Sequence, residues 1–220
     1  MNPKKRSYVF DFDSTLTSVE ALDVLAEITL ADNPKKNEII QKIIDITNLG
    51  IDGEISFTES LERRIKLLNA KKTDLPLLIK ELRQKVSPSI GRNKEFFEQF
   101  SDDIYVISCG FKEFIDEIVS EYNIPSHKVY ANTFIFDEND VIIGFDDKNI
   151  LSTHNGKIQC LKDLKLEGEI QVIGDGYSDY VTREAGIADR FFAYTENVSR
   201  QKTTEKADHI APNFDEFLYI

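Results

Sequence analysis

Three short apolar runs end on polar motifs, and this recurrence constrains the fold more than any other feature of the sequence. The runs cover residues 8–10, 104–107 and 170–173, and they end on Asp-Phe-Asp, Ser-Cys-Gly and Gly-Asp-Gly. A segment with helical character follows each run, and strands that alternate with helices predict a parallel sheet with right-handed crossovers. In open α/β sheets, ligands bind outside the carboxyl ends of the strands. We therefore expect the three motifs to converge in one site.

The segment between the first two runs has a different character. Residues 19–87 are predicted to be helical, with no strand of their own, and to interrupt an α/β core formed by residues 1–18 and 88–220. Apolar side chains recur there at helical spacing in four stretches: 19–30, 37–47, 57–68 and 73–86.

The second half of the chain completes the α/β pattern. Residues 129–136 and 141–145 flank a polar stretch and predict a hairpin. Further strands are predicted at 191–193 and near 209–210. Helices are predicted at 111–122, 157–164 and 180–185.

Composition and charge limit the classes of function. The 220 residues carry a formal net charge of −12 at pH 7, so a nucleic-acid partner is not expected. No apolar run approaches the ~18 residues that span a bilayer, and the basic start lacks the apolar region of a signal peptide. Cys109 and Cys160 lack the spacing of a disulfide framework or a metal site. We expect a cytoplasmic monomer or homodimer with two free thiols and no membrane partner.

Four aspartates lie in or beside the strand-end motifs, namely Asp11, Asp13, Asp175 and Asp179. Two unit charges 4 Å apart repel by roughly 4 kcal/mol at an effective dielectric of 20, so a cluster of them needs a cation. Oxygen ligands without His or Cys favour Mg²⁺. Because Mg²⁺ can bridge a carboxylate and a phosphoryl oxygen, these residues predict phosphate chemistry.

Taken together, the motifs resemble those of the haloacid dehalogenase-like superfamily of phosphohydrolases. Residues 11–15, Asp-Phe-Asp-Ser-Thr, look like its first motif, and Ser108 after a strand resembles its second. Lys157 near a helix start resembles the third motif, and residues 174–179, Gly-Asp-Gly-Tyr-Ser-Asp, resemble the fourth. All four occur in the expected order. The resemblance implies a Rossmann-like α/β core, and it places a small helical-bundle cap at residues 19–87.

The resemblance also implies catalytic roles for these residues. Asp11 would be the nucleophile that forms an aspartyl-phosphate, and Asp13 the general acid that later serves as the base. Ser108 would donate a hydrogen bond to a phosphoryl oxygen, and Lys157 would balance the charge between Asp11 and phosphate.

A metal site with four aspartates follows from the same resemblance. Asp11 and Asp175 would bind Mg²⁺, as would Asp13 through its backbone carbonyl. Asp179 would be a ligand or would support one.

A small helical cap is typical of the subgroup that resembles phosphoserine phosphatase, and the likeness continues inside the cap. Glu20 follows Asp11 at the spacing at which that family uses a glutamate. Residues 57–64 resemble the family's substrate-arginine segment, with Arg64 at the matching position and Phe57 as a pocket wall. Glu20 can pair with the ammonium group of phosphoserine. Arg64 can bind its carboxylate with two parallel hydrogen bonds.

Two positions depart from the family pattern. The second motif reads Ser108-Cys109-Gly110 where Ser-Gly-Gly is common, so a sulfur atom stands beside the predicted substrate. The cysteine keeps the backbone amide of that position. We therefore still expect Ser108, Cys109 and Gly110 to bind substrate. The fourth motif has Ser178 where an Asn is usual, and Ser is a shorter partner for an aspartate.

The function that the resemblance implies is Mg²⁺-dependent hydrolysis of O-phospho-L-serine in L-serine biosynthesis. Two alternatives stay open. One keeps the mechanism but acts on another small phosphorylated metabolite. The other is a non-catalytic regulator that binds phosphoserine or uses Asp11 as a phospho-acceptor. Asp13 argues against the regulator, because a phospho-acceptor needs no acid two residues further on.

Overall fold

A sheet of six parallel strands forms the centre of the molecule. The structure is a computed structural model that describes residues 5–51 and 54–219. Its strands are β1 (Arg6–Phe10), β2 (Ile104–Phe111), β3 (Val129–Asn132), β4 (Phe134–Phe136), β5 (Ile142–Phe145), β6 (Glu169–Gly174), β7 (Arg190–Tyr194) and β8 (His209–Ala211). The main sheet has the order β3-β2-β1-β6-β7-β8, while β4 and β5 form a separate antiparallel pair. The predicted α/β fold with a parallel sheet is confirmed.

Helices cover the sheet and fill the chain between β1 and β2. In chain order they are α1 (Ala21–Thr29), α2 (Lys36–Ile51), α3 (Phe57–Leu68), α4 (Leu75–Arg83), α5 (Pro88–Arg92), α6 (Lys94–Gln99), α7 (Lys112–Val119), α8 (Gly156–Leu164), α9 (Tyr177–Glu184), α10 (Gln201–Thr204) and α11 (Phe214–Phe217). Short 3₁₀ segments lie at Lys72–Asp74, Ser120–Tyr122, Ser126–Lys128 and Ile150–Ser152. A π-helical turn, Phe12–Leu16, follows β1.

Strand β1 lies in the middle of the sheet because its side chains are apolar on both faces. Phe10 packs into one apolar layer and Val9 into the other. A strand buried on both faces reads as a continuous apolar run. Phe10 is paired with Val106 of β2 and Ile173 of β6. The residue after it, Asp11, therefore emerges between the ends of two neighbouring strands.

Helices α1 to α4 bury their apolar faces against one another, with further packing of α4 on α7 and of α3 on β5. Within the described part of residues 19–87 there is no strand, only single bridges at Lys71 and Val86. We propose that this segment is a cap on a core of residues 1–18 and 88–220. The side chains that fix its packing are exposed by 1% or less: Leu25, Ile43, Leu61 and Leu78.

The two segments that connect the helical part to the sheet run side by side. Thr17 of the outgoing segment is bridged to Val86 of the returning one. The side-chain amide of Asn197, in the loop after β7, donates to the Ser14 carbonyl at 3.0 Å and to Ser87 Oγ at 2.7 Å. One side chain thus holds both segments, and we propose that the cap moves about this short connection.

Three predicted boundaries need correction. Residues 129–136 are not one strand, because β3 joins the main sheet beside β2 and only β4 belongs to the hairpin with β5. The apolar pattern continues across this division without a Gly or Pro, so the sequence does not reveal it. The helix predicted from residue 111 begins at Lys112, since Phe111 pairs with Asn132 in the sheet. The helix predicted from residue 180 begins at Tyr177.

No helix in the part of the chain that the structure describes is long and apolar enough to cross a membrane.

Candidate active site

The turn after β1 presents Asp11 at the carboxyl edge of the sheet. The Asp11 amide donates to the carbonyl of Ile173 at 2.9 Å, which holds the residue against β6. Its Oδ1 accepts a hydrogen bond from the Phe12 amide at 2.7 Å. Ser14 adopts a left-handed backbone conformation with φ of 56°, which is uncommon outside Gly, Asn and Asp. This turn fixes the direction of the Asp11 carboxylate.

Three carboxylates from two strand-end motifs meet at this edge. Oxygen atoms of Asp11, Asp175 and Asp179 all lie within 4.8 Å of one another. Gly174 permits this approach, because a Cβ atom there would lie 2.4 Å from the Asp179 carboxylate. The ligand atoms are oxygens alone, so the arrangement fits a hard divalent cation such as Mg²⁺.

Lys157 supplies a positive charge to the same cluster. Its Nζ lies 2.9 Å from Asp11 Oδ1 and 2.7 Å from Asp179 Oδ1, and the residue is only 3% exposed. Burial alone would lower the pKa of Lys157, but Asp11 and Asp179 raise it well above its usual value. Lys157 is therefore a fixed cation beside Asp11.

The remaining charge of the cluster is not balanced by Lys157 alone. Burial raises the pKa of Asp175 to about 6, with a further contribution from Asp11 and an opposing one from Arg200. The pKa of Asp179 is raised by burial and by Asp11, although Lys157 opposes the shift. Ionised carboxylates in this cluster therefore require a further cation.

The raised pKa of Asp175 predicts a loss of stability with rising pH. The folded protein binds the proton up to about pH 6, whereas the unfolded chain releases it near pH 4. Stability is therefore expected to fall between about pH 4 and 6, on the order of 3 kcal/mol for this group. Unfolding temperatures measured with EDTA across this pH range should fall more steeply in the wild type than in Asp175→Asn. Adding Mg²⁺ should make the wild-type fall smaller. If the unfolding temperature depended equally on pH in the two proteins, the raised pKa of Asp175 would be contradicted.

Asp13 lies in a different environment from Asp11. Its Oδ1 accepts a hydrogen bond from the Ala21 amide at 2.8 Å. Burial raises the pKa of Asp13 well above its usual value, and Glu20 and Asp11 raise it further. Its carboxylate is not part of the Asp11, Asp175 and Asp179 group. A proton held on Asp13, two residues after Asp11, suits a general acid.

The second motif lies against Asp13. Ser108 is fully buried, and its Oγ accepts a hydrogen bond from the Gly110 amide at 2.9 Å. A Cβ atom on Gly110 would lie 2.9 Å from Asp13 Oδ2, so a glycine is needed for this approach. Burial raises the pKa of Cys109 to about 12, which keeps its thiol neutral and unreactive.

Charged side chains from α1 and α3 face the strand ends. Glu20, which precedes α1, accepts a hydrogen bond from Ser14 Oγ at 2.7 Å. Arg64 of α3 is only 7% exposed, and its charge influences the pKa of both Glu20 and Asp13. Phe57 begins α3 and packs, half-buried, against the core. The structure therefore brings Glu20 and Arg64 to the side of the site that the helices cover.

Comparison with known proteins identifies the family. The family model described as haloacid dehalogenase-like hydrolase matches residues 8–182, which include all four motifs. The chain belongs to the haloacid dehalogenase-like hydrolases. Human phosphoserine phosphatase is 28% identical over 212 residues, which are 95% of this chain and 90% of the human protein. The predicted family and hydrolase class are confirmed.

Solved structures of this family share the fold. A phosphoserine phosphohydrolase-like protein from Francisella tularensis subsp. tularensis SCHU S4 is 29% identical, with a TM-score of 0.85 over 98% of this chain and 99% of that one. A structure described as a phospho-aspartyl intermediate analogue of phosphoserine phosphatase is 21% identical, with a TM-score of 0.77 over 99% of both chains. At that identity the second comparison concerns the fold alone.

Two charged residues of this hydrolase escaped the sequence analysis. Arg200 lies just before α10, and its Nε donates to Asp175 Oδ2 at 2.9 Å. Asp23 of α1 lies close enough to Arg64 for each to shift the other's pKa. Arg200 belongs to no motif and follows the last one by 21 residues in a polar stretch, so the sequence gives no signal for it. Asp23 could have been found from its position one helical turn after Glu20.

Proposed function

We propose that this hydrolase is a Mg²⁺-dependent phosphatase that converts O-phospho-L-serine to L-serine and phosphate through an aspartyl-phosphate. The observation that carries the proposal is that half-buried Glu20 and buried Arg64 lie close enough to influence each other's pKa, on the helical side of an aspartate-rich phosphate site. A phosphomonoester that also bears an ammonium and a carboxylate group complements this charge pattern. The human and Francisella relatives support the same substrate by their names.

In the first step, Asp11 attacks the phosphorus atom. Its Oδ1 is held by the Phe12 amide and Lys157, which leaves Oδ2 for the attack. A bond forms between Asp11 and phosphorus while the bond from phosphorus to the serine oxygen breaks. Asp13 gives its proton to that oxygen, and L-serine leaves as a neutral alcohol. The raised pKa of Asp13 supports this role, because an acid must carry a proton at the working pH.

In the second step, water releases the phosphate. Asp13, now ionised, takes a proton from a water molecule that attacks phosphorus. The bond between phosphorus and Asp11 breaks, and Asp11 and Asp13 return to their starting states. Dividing the reaction in this way replaces one difficult displacement with two easier ones.

Positive charge and hydrogen-bond donors stabilise the phosphoryl oxygens during both steps. Lys157 and the Ser108 hydroxyl are the proposed side-chain contributors, with the backbone amide of Cys109; the Gly110 amide instead donates to Ser108 Oγ and orients that hydroxyl. Asp11, Asp175 and Asp179, with the Asp13 backbone carbonyl, would hold Mg²⁺, which supplies positive charge to the transferring group when bound.

Substrate recognition falls to the helical segment. The Glu20 carboxylate would pair with the ammonium group of the substrate, and Arg64 would donate two parallel hydrogen bonds to its carboxylate. Phe57 would form a wall of the pocket. A cap that closes over the site would exclude water while the aspartyl-phosphate exists. We place the reaction in L-serine biosynthesis, in the cytoplasm, with no nucleic-acid or membrane partner and a monomeric or homodimeric enzyme.

A panel of phosphorylated metabolites tests the substrate. With Mg²⁺, O-phospho-L-serine should exceed the next substrate by roughly 100-fold in kcat/KM, because losing two charge-assisted hydrogen bonds costs on the order of 3 kcal/mol. Arg64→Ala should remove this preference.

Arg63→Ala is the matched control for that substitution, because Arg63 is exposed and paired with Glu59 on the same helix. A best substrate without a carboxylate, or equal effects of the two arginine variants, would overturn the substrate assignment. The regulator alternative predicts no turnover of any compound on the panel.

A further inference from the structure

Two buried polar atoms of opposite character lack partners on the helical side of the site. Within residues 5–51 and 54–219, Arg64 Nε is buried and has no hydrogen-bond acceptor, and Asp23 Oδ1 is buried and has no donor. Leaving such groups unpaired costs more than an ordinary hydrogen bond contributes. The two residues lie on packed helices, α3 and α1.

Asp23 and Arg64 already influence each other through their charges. Burial lowers the pKa of Arg64, and Glu20 and then Asp23 raise it again. Burial raises the pKa of Asp23, and Arg64 is the group that lowers it. Arg64 is therefore the group that favours the charged form of Asp23 against the effect of burial.

The two substrate-binding side chains differ in how they are held. Glu20 has a fixed partner, because Ser14 Oγ donates to it at 2.7 Å. Arg64, by contrast, has no acceptor for its buried Nε in the described part of the chain, so no hydrogen bond at that atom fixes the plane of the guanidinium. An arginine that binds a carboxylate with two parallel hydrogen bonds needs its plane fixed.

We propose that Asp23 is the positioning residue of Arg64. In the substrate complex, Asp23 Oδ1 accepts a hydrogen bond from Arg64 Nε, which leaves both terminal nitrogens for the substrate carboxylate. Asp23 itself does not touch the substrate. The inference rests on the proposed function, since it assumes that Arg64 binds a carboxylate.

Two substrates distinguish the positioning of Arg64 from contact with the ammonium group and from a general structural role of Asp23. O-phospho-L-serine carries both an ammonium and a carboxylate group, whereas O-phosphoethanolamine lacks only the carboxylate. Asp23→Asn should raise KM for phosphoserine about tenfold, with kcat changed less than twofold, and should leave phosphoethanolamine kinetics unchanged. In an Arg64→Ala background, Asp23→Asn should have less than a twofold effect, because the group it positions is gone.

The matched control is Glu27→Gln on the same helix. Glu27 is exposed and pairs with Lys36, so its substitution should change neither substrate's kinetics. Equal losses for both substrates in Asp23→Asn would overturn the proposal, since they indicate contact with the ammonium group or a general structural role. Additive effects of the Asp23 and Arg64 substitutions would overturn it as well.

A second readout does not depend on turnover. If the wild type fails to hydrolyse phosphoserine, the proposed function is wrong. The positioning role of Asp23 is then tested separately, by NMR of the arginine Nε–H groups. The Arg64 signal, recorded with saturating O-phospho-L-serine and assigned by its loss in Arg64→Lys, should shift in Asp23→Asn and stay in place in Glu27→Gln. An unchanged signal in Asp23→Asn would overturn the positioning role.

Discussion

Replacing Asp11 with Asn is expected to lower kcat by about 10⁴-fold or more. A neutral amide cannot form the acyl phosphate, and an enzyme without its nucleophile keeps only a residual rate of turnover. The variant should still fold. Its side chain has nearly the same shape, and Lys157 keeps its 2.7 Å contact with Asp179. Steady-state phosphate release from phosphoserine measures the effect, and the unfolding temperature shows that the fold is intact.

Asp32→Asn is the matched control, since this exposed aspartate lies in the loop between α1 and α2, outside all four motifs. It should retain wild-type activity. If Asp11→Asn kept more than about one-hundredth of the wild-type rate, a loss of less than ~3 kcal/mol, Asp11 would not be the nucleophile and the proposed mechanism would be wrong.

Replacing Asp13 with Asn should lower kcat for phosphoserine by roughly 10²–10⁴-fold, the usual contribution of a positioned acid or base. The loss should depend on the leaving group. Nitrophenolate leaves without a proton, so the first step with p-nitrophenyl phosphate should survive. The second step, which needs Asp13 as a base, should become slow. Stopped-flow absorbance should then show a burst of nitrophenolate equal in molar amount to the enzyme, followed by slow turnover.

The wild type is the reference for that burst, because its second step is not impaired. Equal losses for phosphoserine and p-nitrophenyl phosphate, without a burst, would show that Asp13 does not transfer the proton to the leaving group.

The strand-end residues were predictable from sequence because their physical causes are local. Strands buried on both faces produce continuous apolar runs, and the polar residue after each run is visible at once. Asp11 and Asp175 were therefore predicted at one edge of a parallel sheet, where the structure finds them. Lys157 was found only through the resemblance to a family, because a single lysine near a helix start carries no signal of its own.

Other parts of the site depend on contacts between distant segments. Arg200 reaches Asp175 across 25 residues of sequence, and no spacing rule predicts such a contact. The left-handed conformation of Ser14, which turns its hydroxyl towards Glu20, is similarly hidden, since serine is not a residue that marks this conformation. The boundary between β3 and β4 was missed because hydrogen bonding to β2, not composition, decides where the main sheet ends.

Trapping the reaction intermediate tests the central claim most directly. Enzyme mixed with Mg²⁺ and O-phospho-L-serine would be quenched in acid within its first turnovers, and its mass measured before and after peptide mapping. We predict a mass gain of one phosphoryl group on the peptide that contains Asp11, removed by hydroxylamine as expected for an acyl phosphate. The gain should be absent in Asp11→Asn, and in Asp13→Asn it should exceed the wild-type gain when p-nitrophenyl phosphate, whose leaving group needs no acid, is the substrate. Turnover of phosphoserine with no phosphoryl group on Asp11 in any of the three proteins would contradict the account.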